Sequence, residues 1–310
     1  MAATVDVEGD YLRTLINERD KAGLNVSCWT VCLHNTRLGI YHPQHVMRKA
    51  QGDPHIYALC PSSNAARSYL TTMVKEITHT YRPNRLELES PGFMGFSHGF
   101  HHEKDGLGLL PEDEFLLGVC FCQHCIRRAR FAGVPASDAQ KIAAQLLDRA
   151  MTRELPSAQF PEFSVLCIEV FARLPELYAY LQWRCEPVTS LIAEVKSAAH
   201  PDTKLLLLDA VGSWAGGVDL KQLMPHLDGI LHCSYFTPVE DIHQLMSETR
   251  LLVGPDKTDS RVPTFHPNVK DRNDLETRAA QAAPVVDGMN FCNLGLVPDA
   301  RLDWIRTAVS

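Results

Sequence analysis

Six short apolar runs, separated by stretches of helix length, restrict this chain to an α/β architecture built from successive βα units. The runs are Val26–Leu33, Arg85–Glu89, 204–210, 229–235, 250–254 and 288–294. Helical patterns cover 9–23, where Gly23 ends the pattern, and Asn64–Tyr81, and fill much of 112–131, 137–153 and 161–199. Strands separated by helices pair in parallel, and parallel strands covered on both faces read as near-continuous apolar runs. No Ser/Gly linker, charge block or internal repeat divides the chain, so 1–310 is read as one domain. The expected fold is a TIM (β/α)8-type barrel. Eight strands close such a barrel, which leaves two reasons for a count of six. Either the first strands lie upstream of this sequence, or strands inside 155–180 are hidden. An open sheet edge would then need cover.

Charge and leader signals narrow the function classes. Thirty basic residues against 37 acidic ones give a formal charge of −7, which argues against nucleic acid or an anionic membrane as partner. The opening MAATVDVEGDYLRT has neither a basic nor an apolar leader region, and no apolar run reaches membrane-spanning length. A cytoplasmic enzyme acting on a small-molecule substrate is the expectation, with homo-oligomerisation left open. In a chain of this kind, ten cysteines read as thiols or metal ligands rather than as a disulfide framework. Cys28, Cys32, Cys167, Cys185, Cys233 and Cys292 sit singly in apolar stretches, as buried small hydrophobes do.

The remaining four behave differently. Cys120-Phe121-Cys122-Gln123-His124-Cys125 places three thiols on one tight turn, and zinc takes four ligands in a tetrahedron. Cys60, in Leu59-Cys60-Pro61-Ser62-Ser63, is the best fourth ligand, with His124 as runner-up. Four thiolates leave no open coordination position, so the expected Zn2+ is structural.

The stretch from Cys60 to about Phe131 resembles the corresponding part of the family-42 β-galactosidases. The shared pattern is Cys60-Pro61-Ser62-Ser63, then Arg67, a helix ending at Tyr81, the strand Leu86-Glu87-Leu88-Glu89, and Cys120/Cys122/Cys125. The resemblance implies a TIM barrel of the retaining glycosidase type, a structural zinc on these four cysteines, and Glu89 as acid/base. It covers about a quarter of the chain. Leu88-Glu89 stands where that family has Asn-Glu, and about thirty residues separate Glu89 from the cluster, more than the family pattern leads one to expect. The late run Leu251-Leu252-Val253-Gly254-Pro255-Asp256 carries no Glu where the family places its nucleophile. A glycosidase-like barrel outside the true β-galactosidases fits these departures.

Active sites of such barrels lie at the carboxyl ends of the strands. Alternation along Arg85–Glu89 turns Leu86 and Leu88 one way and Glu87 and Glu89 the other, so both carboxylates are expected to point into the barrel. Glu89 is the candidate general acid/base, with Glu87 deeper. Glycoside hydrolysis needs a second carboxylate across the bond. Asp209, capping the run Leu205–Leu208, is the first choice and Asp256 the alternative.

The segment Phe93–Lys104 mixes aromatics, glycines and imidazoles, as sugar-binding loops do. Trp29, His34, Asn35, His98 and His101 are expected to line a pocket with Glu89, and His232 and Tyr235 to add groups from a later strand end. Trp29 can equally face the core, and His101-His102-Glu103 can equally ligate a metal. Two further readings compete with a glycosidase. One is a metal-dependent sugar isomerase or lyase built on His34, His101, His232 and Glu89. The other is a carbohydrate-binding barrel without turnover.

Overall fold

The structure, a computed structural model, describes residues 9–99, 106–210, 212–293, 295 and 297–309. Its centre is a sheet of six parallel strands. In spatial order these are β1 (Ser27–Val31), β4 (Arg85–Glu89), β5 (Lys204–Ala210), β6 (Gly229–Cys233), β7 (Thr258–Pro263) and β8 (Gly288–Cys292). A separate antiparallel pair, β2 (Val46–Arg48) and β3 (Pro54–Leu59), falls between β1 and β4 in the chain.

The sheet is curled. Neighbouring strands lie about 4.8 Å apart, so β7 would sit roughly 14 Å from β4 and 19 Å from β1 on a flat sheet. Yet Arg85 on β4 donates to Asp259 on β7 at 2.7 Å, and the Arg261 guanidinium of β7 lies 4.4 Å from the ring centre of Trp29 on β1. The result is a half-barrel of six parallel strands, compatible with part of a TIM-type barrel. Among the described residues, 155–180 carry helical turns and no strand.

The helices are α1 (Tyr11–Ala22), α2 (Thr36–Tyr41), α3 (Asn64–Thr80), α4 (Pro111–Leu117), α5 (Gln123–Phe131), α6 (Ala136–Thr152), α7 (Pro175–Trp183) and α8 (Cys185–Ala198), with others nearer the C-terminus. Register decides which face of the sheet each side chain joins. Leu86, Leu88, Leu205, Leu207 and Ile230 point outward into a core shared with Leu70 and Val74 of α3 and Leu191 and Val195 of α8. The opposite parity faces the hollow of the half-barrel. It carries Ser27, Trp29 and Val31, then Glu87 and Glu89, Leu206 and Leu208, Cys233, and Asp259 and Arg261.

The long connection from β4 to β5 builds a side lobe with its own core. Ala139, Ala143, Leu146, Leu147 and Ala150 form the buried stripe of α6, at the spacing an amphipathic helix requires. Packed rings fill the lobe, with Phe121 stacked on Tyr180 at 4.8 Å and Phe160 tilted against Phe171 at 4.6 Å.

One expected strand is a helix. Residues 250–253 form the last turn of α9 (Ile242–Val253), and the strand begins only at Thr258. A three-residue apolar run bounded by Gly and Pro suits a helix end as well as a strand. Here only Val253 of the run is buried, while Leu251 is 86% exposed. The true strand, Thr-Asp-Ser-Arg-Val-Pro, is masked in the sequence because its inward residues are an ion-paired Asp and an Arg rather than apolar groups. α10 (Arg272–Ala282) and α11 (Leu302–Ala308) complete the helical layer.

Arg67 ties the lobe to the barrel. It is 4% exposed on α3, and its Nη1 donates to the carbonyls of Pro61 and Pro187 at 3.0 and 2.9 Å. Its Nε and Nη2 grip Glu194 at 3.0 and 2.6 Å. Because Glu194 is half exposed, that ion pair contributes at most about 1 kcal/mol. The Pro61 carbonyl weighs more, costing about 1–3 kcal/mol if stripped of its donor in the interior, whereas the Pro187 carbonyl keeps the Ser190 hydroxyl at 3.3 Å. Arg67→Met is therefore expected to lower unfolding free energy by about 2–4 kcal/mol in urea melts. Arg67→Lys should recover only part of this, since an ammonium lacks the planar fork.

Candidate active site and cysteine cluster

The cysteine cluster is assembled from two turns. Cys60 follows β3, while Cys120, Cys122 and Cys125 surround the start of α5, and all four are buried. Cys60 Sγ lies 3.4 Å from Cys125 Sγ, 3.5 Å from Cys122 Sγ and 3.9 Å from Cys120 Sγ. All four sulfurs fall within 4.8 Å of one another. A tetrahedral ion with metal–sulfur bonds of about 2.3 Å spaces its sulfurs about 3.8 Å apart, so the donor set fits such an ion.

Burial pushes the Cys60 and Cys125 thiols up. Hydrogen bonds with Cys120, Cys125 and Cys60 pull Cys122 down. The backbone N–H of Arg48 donates to Cys120 Sγ at 3.4 Å, and the Tyr180 hydroxyl donates to the Cys120 carbonyl at 2.5 Å. His124 is turned away: its Nε2 meets the Gln44 carbonyl at 3.0 Å and its ring stacks on His45.

The second constellation sits at the carboxyl ends of the strands. Glu89 accepts a hydrogen bond from the indole N–H of Trp29. Glu87, two residues deeper on the same face, accepts from Ser27 Oγ at 2.7 Å. Arg261 lies over the Trp29 ring and donates through Nη2 to Cys292 Sγ at 3.0 Å, and Tyr235 OH donates to the same sulfur at 3.3 Å. Burial pushes Tyr235 well above the usual phenol range. On the Tyr235 side opens a cavity of about 710 Å³, lined by Ala210, Cys233, Tyr235, Phe236, Asp241 and Glu248 among others. That volume lies in the range of small-molecule sites.

The loop after β4 is held at the same end of the sheet. Phe93 N–H donates to the Gly216 carbonyl at 2.8 Å, beyond the end of β5. A Cβ on Gly92 would meet that carbonyl oxygen at 2.6 Å, so only glycine permits the approach.

The other expected site residues fall in several places. His34 and His98 pair with each other, Nδ1 to Nε2 at 3.3 Å, beyond the end of β1. Asn35 caps α2, its Oδ1 accepting from Leu38 N–H at 2.9 Å. Asp209 and His232 share the parity of Leu207 and Ile230, not of Glu89. They are both 4% exposed behind the sheet, with Asp209 Oδ2 and His232 Nδ1 3.5 Å apart. Alternation thus removes Asp209 as the carboxylate facing Glu89. Asp256 stands in the turn before β7, at the amino end of the barrel and away from the mouth. His101 and Glu103 lie outside the described residues.

Arg261, Cys233 and Cys292 complete the mouth, and sequence reasoning missed all three. Reading 250–254 as the strand hid Arg261, and the two thiols resembled core cysteines.

No family model matches the sequence, and no curated protein matches it at a significant level. Solved structures match the fold. The β-galactosidase from the psychrophilic Marinomonas ef1 aligns with a TM-score of 0.62 at 10% identity, covering 98% of this chain and 53% of that one. The PgaB (BpsB) glycoside hydrolase domain from Bordetella bronchiseptica aligns with a TM-score of 0.55 at 12% identity, covering 94% and 75%. This chain spans about half the length of the β-galactosidase. Identity this low carries the fold alone, the curled half-barrel of parallel strands. No helix among the described residues is long and apolar enough to cross a membrane.

Burial pushes the Cys233 thiol up to about 12, the neighbouring Arg261 cation offsetting this only in part. The thiolate fraction at pH 8 is then roughly a thousandfold below that of a free cysteine. Residue-resolved alkylation with iodoacetamide is expected to label Cys233 far more slowly than free cysteine. Rapid labelling at pH 8 would show that the mouth is wetter than this packing.

Proposed function

We propose that this chain is a glycoside-hydrolase-type enzyme in which Glu89 is the general acid/base and the four cysteines hold a structural zinc. The observation that carries the catalytic part is the placement of Glu89. It lies at the carboxyl mouth of a barrel-type sheet, on the hollow face, against an indole N–H. Sugar recognition suits the surroundings: Trp29 and Phe236 are exposed rings, and Tyr235, Asp241 and Glu248 offer polar groups. The solved structures sharing the fold are named as glycoside hydrolases, which supports the same reading.

The second carboxylate is the open part of this chemistry. Glu87 shares a strand with Glu89, and two groups on one strand approach a bond from the same side, whereas hydrolysis needs carboxylates flanking it. Asp259, the remaining carboxylate on the hollow face of the described strands, is bound by Arg85. This arrangement favours the second reading, a barrel that binds carbohydrate without turnover. The isomerase reading loses support, because His232 is buried behind the sheet while His34 pairs with His98.

A positioned general acid contributes about 10²–10⁴ in rate. Glu89→Gln should lower turnover of an unactivated glycoside by that order while leaving the melting temperature near wild type. An activated aryl glycoside should suffer less, because its leaving group needs less protonation. Near-full turnover in Glu89→Gln would overturn the assignment, and binding without turnover across a glycoside panel would establish the second reading.

For the zinc, elemental analysis after chelator-free purification is expected to give about one zinc per chain, retained through mild EDTA treatment. Cys122→Ser should lose the metal and melt at lower temperature. A wild-type preparation without zinc, or with a different metal, would remove this part of the proposal.

A further inference from the structure

The mouth holds a buried cation with no carboxylate to balance it. Arg261 is 3% exposed, and its Nε and Nη1 have no hydrogen-bond acceptor. Its Nη2 donates to the sulfur of Cys292. Among the described residues no carboxylate lies within ion-pair distance of it. Glu89, on the same face, is held by the Trp29 indole, and Asp259, two residues back on β7, is held by Arg85 at 2.7 Å. The other groups around the guanidinium, Cys233 and Tyr235, are neutral at ordinary pH because burial pushes both up. A guanidinium withdrawn from water without counter-charge or acceptors is costly to maintain, and this one sits where barrels bind their substrates.

One aromatic ring rests over it. The guanidinium centre lies 4.4 Å from the Trp29 ring centre, and Trp29 is 50% exposed on the sheet's edge strand. A cation–π contact on a half-exposed ring is a weak partner compared with charge-assisted hydrogen bonds to an oxyanion. An incoming anion would exchange the first for the second. Displacing the ring would also withdraw the indole N–H from Glu89, which links occupancy of the guanidinium to release of the carboxylate.

We propose that Arg261 is a specificity-determining residue that binds an oxyanion substituent of the substrate, with Trp29 as its displaceable cover. The substrate class is then an acidic sugar, such as a uronate-containing glycan. This rests on the carbohydrate reading of the site and goes beyond it in naming the charge.

The test compares D-glucuronate with D-glucose by thermal shift and calorimetry on the full chain, with Trp fluorescence reporting the ring. Millimolar glucuronate should raise the melting temperature and change the fluorescence, while glucose does neither. Arg261→Met should abolish the glucuronate effect and weaken its binding by at least about tenfold. It should itself melt no lower than wild type, because an apolar side chain replaces an unbalanced cation. Arg261→Lys keeps the charge and should keep part of the binding, so loss through misfolding is separable from loss of charge. Glu89→Gln should retain the glucuronate effect whatever its turnover, so the anion site and the hydrolase assignment fail separately. Equal protection by glucose, no protection by glucuronate, or protection that survives in Arg261→Met would each overturn the inference.

Discussion

The two-residue alternation of a parallel strand is the constraint on which the rest of this molecule depends. Every side chain of the six-stranded sheet must join either the helix-side core or the hollow of the half-barrel. Leu86, Leu88, Leu205, Leu207 and Ile230 satisfy the first demand and bury the sheet against α3 and α8. The same register then obliges Trp29, Glu87, Glu89 and Arg261 to meet on the other face. It also sends Asp209 and His232 behind the sheet, although both lie near strand ends and look like site residues in the sequence.

Curvature turns that shared face into a site. On a flat sheet Arg261 and Trp29 would be four strands apart, whereas here the guanidinium rests on the indole. The Arg85–Asp259 pair one rung deeper bridges the same hollow. Both contacts join residues distant in sequence, so neither strand could position its own functional group alone. The chain Glu89–Trp29–Arg261–Cys292 runs across the mouth as one connected set of polar contacts.

The side lobe solves a different problem. The connection from β4 to β5 is too long to be organised by the sheet and needs its own anchor. Packed aromatics supply a core, while Arg67 reaches from α3 to the carbonyls of Pro61 and Pro187. The four thiols tie the turn after β3 to the start of α5, and Tyr180 on α7 holds the Cys120 carbonyl. Cys60 and Arg67 flank one turn, so the cysteine cluster and the arginine anchor brace the same junction from two sides.

By itself the sequence determined what is local. Apolar runs marked five of the six sheet strands, periodicity marked the long helices, and the CxCxxC spacing marked three thiols of the cluster. Alternation within Arg85–Glu89 was enough to turn Glu89 inward. What stayed illegible depends on partners far along the chain. β7 is polar because its inward Asp259 and Arg261 meet β4 and β1, and no periodicity within the strand records those partners. Asn35 is a helix cap and Asp256 a turn residue because of the backbone that follows each, not because of their chemistry. Only the tertiary structure decided that an arginine without a carboxylate shares the mouth with Glu89. Charge balance is a property of neighbours in space, and a sequence orders neighbours only along the chain.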